Sequence, residues 1–251
     1  MSEEAQYCDP EIAQFYDLDN PWPTDYDHFL NWAAPYKCVL DLGCGSGIFS
    51  LALFQRGHKV TGVDPARAMI DIAKMKDEQG DVDWIVDDAR TFRTDRKYDM
   101  VLMTGHAFSP LLTMEDRLQT LKTIAYHLKP GGRFFFDSRN PLHRAWETWT
   151  KEQRSKTLFH PKYGRVESWT EATYDDTLQI VTYKTCYELI EQDRTLSSIS
   201  KIAFPDFEEL NELLREAGLQ TERWIGSPEG EPFTKQSPEI IPFGRLNRSF
   251  V

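Results

Sequence analysis

A glycine-rich turn provides the clearest chemical signal in the sequence. The run Gly43-Cys44-Gly45-Ser46-Gly47 directly follows the apolar segment 38–42. Glycines in such a turn let a ligand approach the backbone and the amide groups at the start of the next helix. Asp64 ends a second apolar run about 20 residues later, where its carboxylate could accept hydrogen bonds from both hydroxyls of a ribose. The turn and the carboxylate together predict a site for an adenosine-containing ligand.

His106 is the best candidate for a residue that moves a proton. It follows the apolar run 98–103, and doubly wound sheets bind their ligands at the carboxyl ends of central strands. An imidazole titrates near neutral pH and can act as a general base. The alternative is that His106 only shapes the pocket or is turned away from it.

Strands and helices alternate through residues 38–139 and must position these groups. Alternation of this kind predicts a parallel sheet that is covered on both faces. The predicted strands are 38–42, 59–64, 82–87, 98–104 and 133–137, and the predicted helices are 48–57, a segment opened by Pro65, and 118–128.

The pattern changes after residue 139. Three β-rich runs with short polar turns, 166–174, 178–189 and 196–204, predict an antiparallel meander. A helix from Phe207 to Gly218 and two strands, 219–225 and 239–246, complete the chain.

The charge distribution restricts the class of ligand. Lys and Arg number 29 against 40 Asp and Glu, so the formal net charge is −11. Residues 1–36 contain eight acidic residues and no Lys or Arg; this is either a solvated acidic face or the border of a site that favours cationic or neutral ligands. The basic, aromatic stretch 139–165 could bind nucleic acid, but an isoelectric point near 5.1 opposes binding to a polyphosphate.

Several classes of protein are disfavoured. No apolar run approaches the roughly 18 residues needed to cross a bilayer, and no secretory signal is visible, so we expect a cytoplasmic protein with no membrane partner. The four cysteines form no CxxC pair and have no spacing suited to zinc, so we expect free thiols and no metal site.

One family accounts for the motifs as a set. Val39-Leu40-Asp41-Leu42-Gly43-Cys44-Gly45-Ser46-Gly47 resembles the signature of class I S-adenosylmethionine-dependent methyltransferases, and four later segments agree in order and spacing: 60–64, 87–90, 98–103 and 128–132. Segments 103–108, 137–141 and 237–241 are similar to those of a subgroup of small bacterial methyltransferases that mostly lack an assigned substrate.

The resemblance implies S-adenosyl-L-methionine as the cofactor and a role for each matching residue. The methionine portion would lie on Asp41 and the turn residues Gly43, Cys44 and Gly45, and the ribose on Asp64. The adenine would pack on Pro65 and Met69 and bind Asp88 and the Ala89 amide, with Arg90 as a further cofactor-binding residue. The sulfonium would lie above Thr104, Gly105 and His106, and Tyr16 and Trp22 would close the pocket. Three alternatives stay open. Asp41 could cap a helix, Asp87 could replace Asp88, and Met69 could belong only to the core.

The acceptor is expected to be a small molecule. Enzymes of this class that methylate base amines of nucleic acids usually carry an Asp/Asn-Pro-Pro-Tyr/Phe loop after the fourth strand, where this chain has Thr104-Gly105-His106-Ala107. Trp22, Phe108 and Arg139 are candidate acceptor contacts, with simple packing as the alternative for Trp22 and Phe108. The β insertion would form the second wall of the acceptor pocket or, alternatively, the surface of a homodimer.

These inferences give one expected architecture and function. We expect an α/β, Rossmann-like, doubly wound, mostly parallel seven-stranded sheet with an antiparallel end strand, plus a small antiparallel β insertion. Its segments would be an N-terminal helical lid (1–36), the S-adenosylmethionine-binding core (37–140), a basic linker with the β insertion (141–205), and a C-terminal helix with the last strands (206–251).

The expected reaction is transfer of a methyl group to an O or N of a small molecule. An NAD(P)-dependent oxidoreductase is an alternative, disfavoured because Ile48 stands where the dinucleotide fingerprint needs glycine. A non-catalytic S-adenosylmethionine-binding module is the second alternative.

Overall fold

The computed structural model describes residues 5–247. Glu3 and Glu4 of the acidic N-terminal segment, and residues 248–251 of the predicted C-terminal segment, lie outside the described residues. Within 5–247 no helix is both long and apolar enough to cross a membrane.

Two sheets organise the described chain. The strands are β1 Cys38–Leu42, β2 Lys59–Asp64, β3 Asp83–Val86, β4 Tyr98–Met103, β5 Leu128–Phe136, β6 Lys156–His160, β7 Gly164–Asp175, β8 Ile180–Leu189, β9 Arg194–Ala203, β10 Leu219–Ile225 and β11 Ile241–Leu246. The α-helices are α1 Ala5–Cys8, α2 Pro10–Ala13, α3 Tyr16–Asp19, α4 Asp25–Ala33, α5 Ile48–Gln55, α6 Arg67–Lys76, α7 Met114–His127, α8 Lys151–Arg154 and α9 Phe207–Glu216. Short 3-10 turns lie at Pro141–His143, Ala145–Thr148 and Ile190–Gln192.

The larger sheet has the strand order β10-β11-β5-β4-β1-β2-β3. β1 to β5 pair in parallel, whereas β11 runs antiparallel to both β5 and β10. The predicted mostly parallel seven-stranded sheet is therefore confirmed. Its antiparallel strand is the last strand of the chain, but β10, not β11, occupies the edge.

β5 shows how the helices cover both faces of this sheet. Phe134, Phe135 and Phe136 are all fully buried, and successive side chains of a strand point to opposite faces. Phe134 and Phe136 pack in the cluster that includes apolar residues of α7 and α9, and Phe135 packs in the cluster of α4 and α5. β5 begins at Leu128, earlier than predicted, because Leu128 already pairs with Tyr98 before a register shift.

The smaller sheet is the predicted meander with one additional strand. Its order is β6-β7-β8-β9, and every pair is antiparallel. β6 was not predicted, since only Leu158 of its five residues is buried and the strand therefore shows no apolar alternation.

The N-terminal helices α1 to α3 pack against the smaller sheet and against α6. Phe15 is fully buried and stacks on Tyr187 of β8 and on Tyr163, with ring centroids 4.7 and 5.5 Å away. Ala13 and Tyr16 pack against Met69 of α6. The segment thus bridges the insertion and α6, the helix that packs on β2 and β3 of the larger sheet.

Candidate active site

The glycine turn lies at the carboxyl end of β1 and packs tightly against its surroundings. Gly43 and Gly47 have φ values of +75° and +78°. A Cβ on Gly43 would lie 2.6 Å from the Cβ of Ala107, and one on Gly47 would lie 2.5 Å from the ring of Trp84. A Cβ on Gly45 would have no described atom within 4 Å. The turn is therefore closed on its inner side and open at Gly45, where a ligand can approach the backbone.

Asp64 fixes the shape of this turn. Its two carboxylate oxygens accept hydrogen bonds from the backbone N–H of Gly45 and of Ala66, each at 2.9 Å. The side chain thereby joins the loop after β1 to the loop after β2, next to the open side of Gly45.

Asp41 is a buried carboxyl beneath the turn. One oxygen accepts a hydrogen bond from the Ser50 hydroxyl at 2.6 Å, and the other has no hydrogen-bond partner among the described residues. Burial raises the pKa of Asp41 to about 7. Gly47 holds the N-cap position of α5 and no side chain caps that helix. Asp41 therefore binds a side chain within α5 and does not cap the helix backbone.

The predicted adenine residues lie along the loops after β2 and β3. Met69 is fully buried, whereas Pro65 is exposed. Asp88 accepts a hydrogen bond from the backbone N–H of Arg90 at 2.8 Å and pairs with its guanidinium. Ala89 is buried beside this pair. Both oxygens of Asp88 thus already have a partner, and the Met69 side chain has no exposed surface.

Two acidic residues hold His106 in an unusual conformation. His106 has a φ of +61°, a left-handed value that is uncommon for a residue with a side chain. Its backbone N–H donates to Asp137 at 3.0 Å, and its Nε2 lies 3.0 Å from a carboxylate oxygen of Glu239. Asp137 is buried, which raises its pKa. The two carboxylates fix both the backbone and the ring of His106.

A cavity of about 290 Å³ opens beside His106. Three parts of the chain enclose it: the N-terminal helices, the strand ends of the parallel sheet, and the insertion. They contribute, respectively, Gln6, Tyr7 and Tyr16; Gly105, His106 and Arg139; and Thr170, Tyr183 and Thr185. Tyr7 and Tyr183 form a hydrogen bond between their hydroxyls at 3.0 Å, so the N-terminal segment and the insertion meet over the cavity.

The structure distributes the remaining predicted residues unevenly. Tyr16, Gly105 and Arg139 line the cavity. Thr104 is buried at the end of β4, and Cys44 is buried beneath the turn, where desolvation raises the pKa of its thiol. Trp22 does not line the cavity; it packs edge-on against Tyr26 at 5.2 Å. The expectation that Phe108 contacts the acceptor is wrong, because Phe108 is fully buried and stacks on Phe136 at 4.2 Å.

Sequence reasoning missed four residues of the site. Asp137 and Glu239 lie in two of the segments that resemble the bacterial subgroup, and this was the available signal for them. Tyr7 and Tyr183 carried no signal, since they become neighbours only when the insertion folds against the N-terminal helices.

The acidic N-terminal segment is partly neutralised by ion pairs. Asp17 pairs with Lys76 and accepts a hydrogen bond from Ser46 in the glycine turn. Asp19 pairs with Lys156, and Glu11 with Arg194. These three carboxylates join the segment to the core and to the insertion, so they do not give the cavity a preference for cations.

Comparisons with known proteins agree with this geometry. A family model described as "Methyltransferase domain" matches residues 39–132. The chain is 29% identical over 249 residues to the cypemycin N-terminal methyltransferase of a Streptomyces species, covering 96% of this chain and 98% of that protein. It is 34% identical over 165 residues to a ubiquinone biosynthesis O-methyltransferase of Coxiella burnetii (strain Dugway 5J108-111), covering 58% of this chain and 69% of that protein.

A solved structure shares the fold across almost the whole chain. It is an S-adenosylmethionine-dependent methyltransferase from Clostridium acetobutylicum ATCC 824, with a TM-score of 0.78 and 17% sequence identity. The match covers 94% of this chain and 98% of that one.

Proposed function

Because the chain belongs to the class I S-adenosylmethionine-dependent methyltransferases and transfers a methyl group to an oxygen or a nitrogen, we propose that its acceptor is a small molecule held beside His106. Because the chain belongs to this family, the two alternative functions, a nicotinamide-dependent oxidoreductase and a non-catalytic binding module, are excluded. The observation that carries the proposal is the cavity of about 290 Å³, which His106 lines and which both the N-terminal helices and the insertion enclose.

The residues around the glycine turn fit the cofactor. The open side of Gly45 leaves room for a ligand, and the partnerless oxygen of Asp41 offers an acceptor beneath it. When bound, S-adenosylmethionine supplies a methyl group on a positively charged sulfur. In this proposal Asp41, Gly43, Cys44 and Gly45 bind the methionine portion, and Asp64, already aimed at Gly45, binds the ribose.

The adenine would lie over the loops after β2 and β3. Met69 of α6, which packs in one cluster with Tyr16, would form an apolar wall, and the Ala89 amide with the Asp88–Arg90 pair would form a polar edge. Pro65 borders this site from the exposed side. Thr104 and Gly105 form the floor between the cofactor and the acceptor.

His106 would act as the general base. Its Nε2 lies 3.0 Å from the Glu239 carboxylate, and a carboxylate can only accept, so Nε2 carries the hydrogen and Nδ1 is left to take a proton. Orientation supplies much of the rate in a direct displacement, provided that the reacting atoms lie about 3–3.5 Å apart. Asp137 and Glu239 provide that orientation by fixing the backbone and the ring of His106.

The size and walls of the cavity support a small acceptor. Small-molecule sites typically have volumes of roughly 300–1,000 Å³, and this cavity lies near the lower limit. The insertion contributes Thr170, Tyr183 and Thr185 to it, which favours a role as the acceptor wall over a role as a dimer surface. The full-length relative named for N-terminal methylation makes an amine the first acceptor to test.

The test is a methyl-transfer assay with isotopically labelled cofactor across a panel of amines and phenols. We expect His106→Ala to lower turnover at least tenfold, while the affinity for S-adenosylhomocysteine stays within about twofold. Unchanged turnover on an acceptor that must lose a proton would show that His106 is not the base.

A further inference from the structure

The charges that line the cavity are unbalanced. Half-buried Arg139 and exposed Arg154 both line it, whereas Asp19 is the only carboxylate among the described residues that line it. Asp19 is fully engaged: it accepts hydrogen bonds from Ser168 and Tyr187, each at 3.0 Å, and pairs with Lys156. Neither arginine therefore has a lining carboxylate free to pair with it, although the charges of Glu239 and Asp137 next to the cavity act on Arg139.

Arg139 is the more informative of the two cations. It follows β5 by three residues, and its guanidinium lies 5.3 Å from the ring of Trp149. No carboxylate among the described residues lies within ion-pair distance of it. Its neighbour across the backbone bridge is Glu239, which contacts His106 through one carboxylate oxygen, while its other oxygen has no hydrogen-bond partner among the described residues.

A half-buried guanidinium that forms no ion pair is costly, because the ion loses part of its hydration and the nearby charges of Glu239 and Asp137 offset only part of that loss. Burial lowers the pKa of Arg139, because a guanidinium that has lost hydration holds its proton less tightly. Such a group is usually retained for a ligand, and the planar guanidinium matches a carboxylate through two parallel hydrogen bonds.

We propose that Arg139 binds a carboxylate of the acceptor, so that the substrate is a small carboxylic acid whose amine or hydroxyl is methylated beside His106. This inference rests on the proposed function, since it assigns the cavity to the acceptor. Arg139 and Glu239 are paired through the backbone, and Glu239 holds His106. Arg139 and His106 thus line the same cavity on either side of Glu239, so the inference places the carboxylate and the nucleophile of one small acceptor between them.

The other walls fit the body of such a molecule. Tyr7, Tyr16, Tyr183 and Trp149 all line the cavity. Aromatic side chains present large apolar faces, so an aromatic or aliphatic carbon skeleton would be accommodated between Arg139 and these rings.

The test compares matched acids and amides on the protein saturated with S-adenosylhomocysteine. The probes are phenylalanine with phenylalaninamide, and 4-hydroxybenzoate with 4-hydroxybenzamide. Their binding is measured by calorimetry, and their methylation is measured in a separate assay with labelled cofactor. We expect the acids to bind at least tenfold more tightly than their amides. Arg139→Gln should remove that preference and Arg139→Lys should restore part of it.

Two controls separate this inference from the proposed function. Arg165→Gln changes an exposed arginine of β7 outside the cavity, and it should leave the preference intact. The affinity of Arg139→Gln for S-adenosylhomocysteine should equal that of the wild type. A tenfold weaker affinity would mean that Arg139 holds the carboxylate of the cofactor, and this would overturn the inference.

The remaining outcomes are equally decisive. Equal binding of acids and amides, binding of neither series, or a preference that survives Arg139→Gln would each overturn the carboxylate assignment while leaving the methyltransferase activity in place. Failure of the wild type to bind S-adenosylhomocysteine would instead contradict the proposed cofactor site.

Discussion

Asp64 combines two tasks in one carboxylate. It holds the Gly45 and Ala66 amides in place and, in our proposal, receives the ribose hydroxyls. We expect Asp64→Ala to weaken the binding of S-adenosylhomocysteine at least tenfold, because charge-assisted hydrogen bonds to the turn and to the ligand are both lost. Isothermal titration calorimetry measures this directly.

The matched control is Asp71→Ala, which removes an exposed carboxylate from the neighbouring helix α6. Its affinity should equal that of the wild type. If Asp64→Ala also binds normally, the ribose is held elsewhere.

Asp41 should make stability depend on pH. Its pKa is about 7 in the folded protein and about 3.9 in an unfolded chain. Between these values the folded state keeps a proton that the unfolded state releases, so the free energy of unfolding falls as pH rises and levels off above about pH 7. Urea unfolding of the cofactor-free protein should show the wild type losing about 1.4 kcal/mol per pH unit relative to Asp41→Asn between pH 5 and 6, and about half as much per unit near pH 7. A constant difference across this range would show that Asp41 titrates normally.

Local sequence patterns predicted the residues of the glycine turn but not the surroundings of His106. Gly43, Gly45 and Asp64 follow their strands directly, so strand order alone brings them together. Glu239 reaches His106 from more than 130 positions away, and no local pattern specifies such a contact. Phe108 was misassigned because an aromatic residue after a central strand packs in the core as readily as it lines a pocket.

At the scale of elements, α3 is attached to the insertion by Asp19. This carboxylate is buried and satisfies the Ser168 and Tyr187 hydroxyls. We expect Asp19→Ala to lower the free energy of unfolding by at least about 2 kcal/mol, since each buried hydroxyl left unpaired costs about 1–3 kcal/mol. The melting temperature should then fall by at least several degrees.

Asp176→Ala provides the comparison, because Asp176 lies exposed in the turn between β7 and β8. Thermal unfolding of this variant should match the wild type. An Asp19→Ala protein as stable as the wild type would show that α3 is held mainly by the packing of Phe15.

The insertion was predicted in part. Its three longer strands alternate apolar and polar residues, which is a reliable strand signal. β6 was not predicted, because its edge position exposes most of its side chains and leaves no alternation of apolar and polar residues. The contact between the insertion and the N-terminal helices depends on stacking between Phe15 and Tyr187, a long-range pairing without any signature in either segment.

At the scale of the whole molecule, ligand binding should raise the melting temperature selectively. A ligand at about 100 times its dissociation constant adds roughly 2.7 kcal/mol, which in a chain of this size corresponds to roughly 5–10 °C. We expect S-adenosylmethionine and S-adenosylhomocysteine to produce this shift. NAD should produce none, because α5 begins at Ile48, where a dinucleotide site needs glycine. A shift with NAD alone would contradict the cofactor assignment.

The larger sheet was predictable because its strands are short, buried and regularly separated by helices, so periodicity and order suffice. The cavity was not predictable in the same way. Its walls come from residues 6–20, two strand ends and the insertion, and their convergence depends on tertiary packing.

The position of the N-terminal helices has a kinetic consequence. The same short helices cover Met69 on one side and supply Tyr7 and Tyr16 to the cavity on the other. An outward movement of this segment would uncover the adenine side and the acceptor cavity together, so the two products would leave during a single opening. Ion pairs such as Asp17–Lys76 and Glu11–Arg194 hold this segment in place. Because salt screens such pairs, added salt would make the segment open more often and shorten the interval between turnovers.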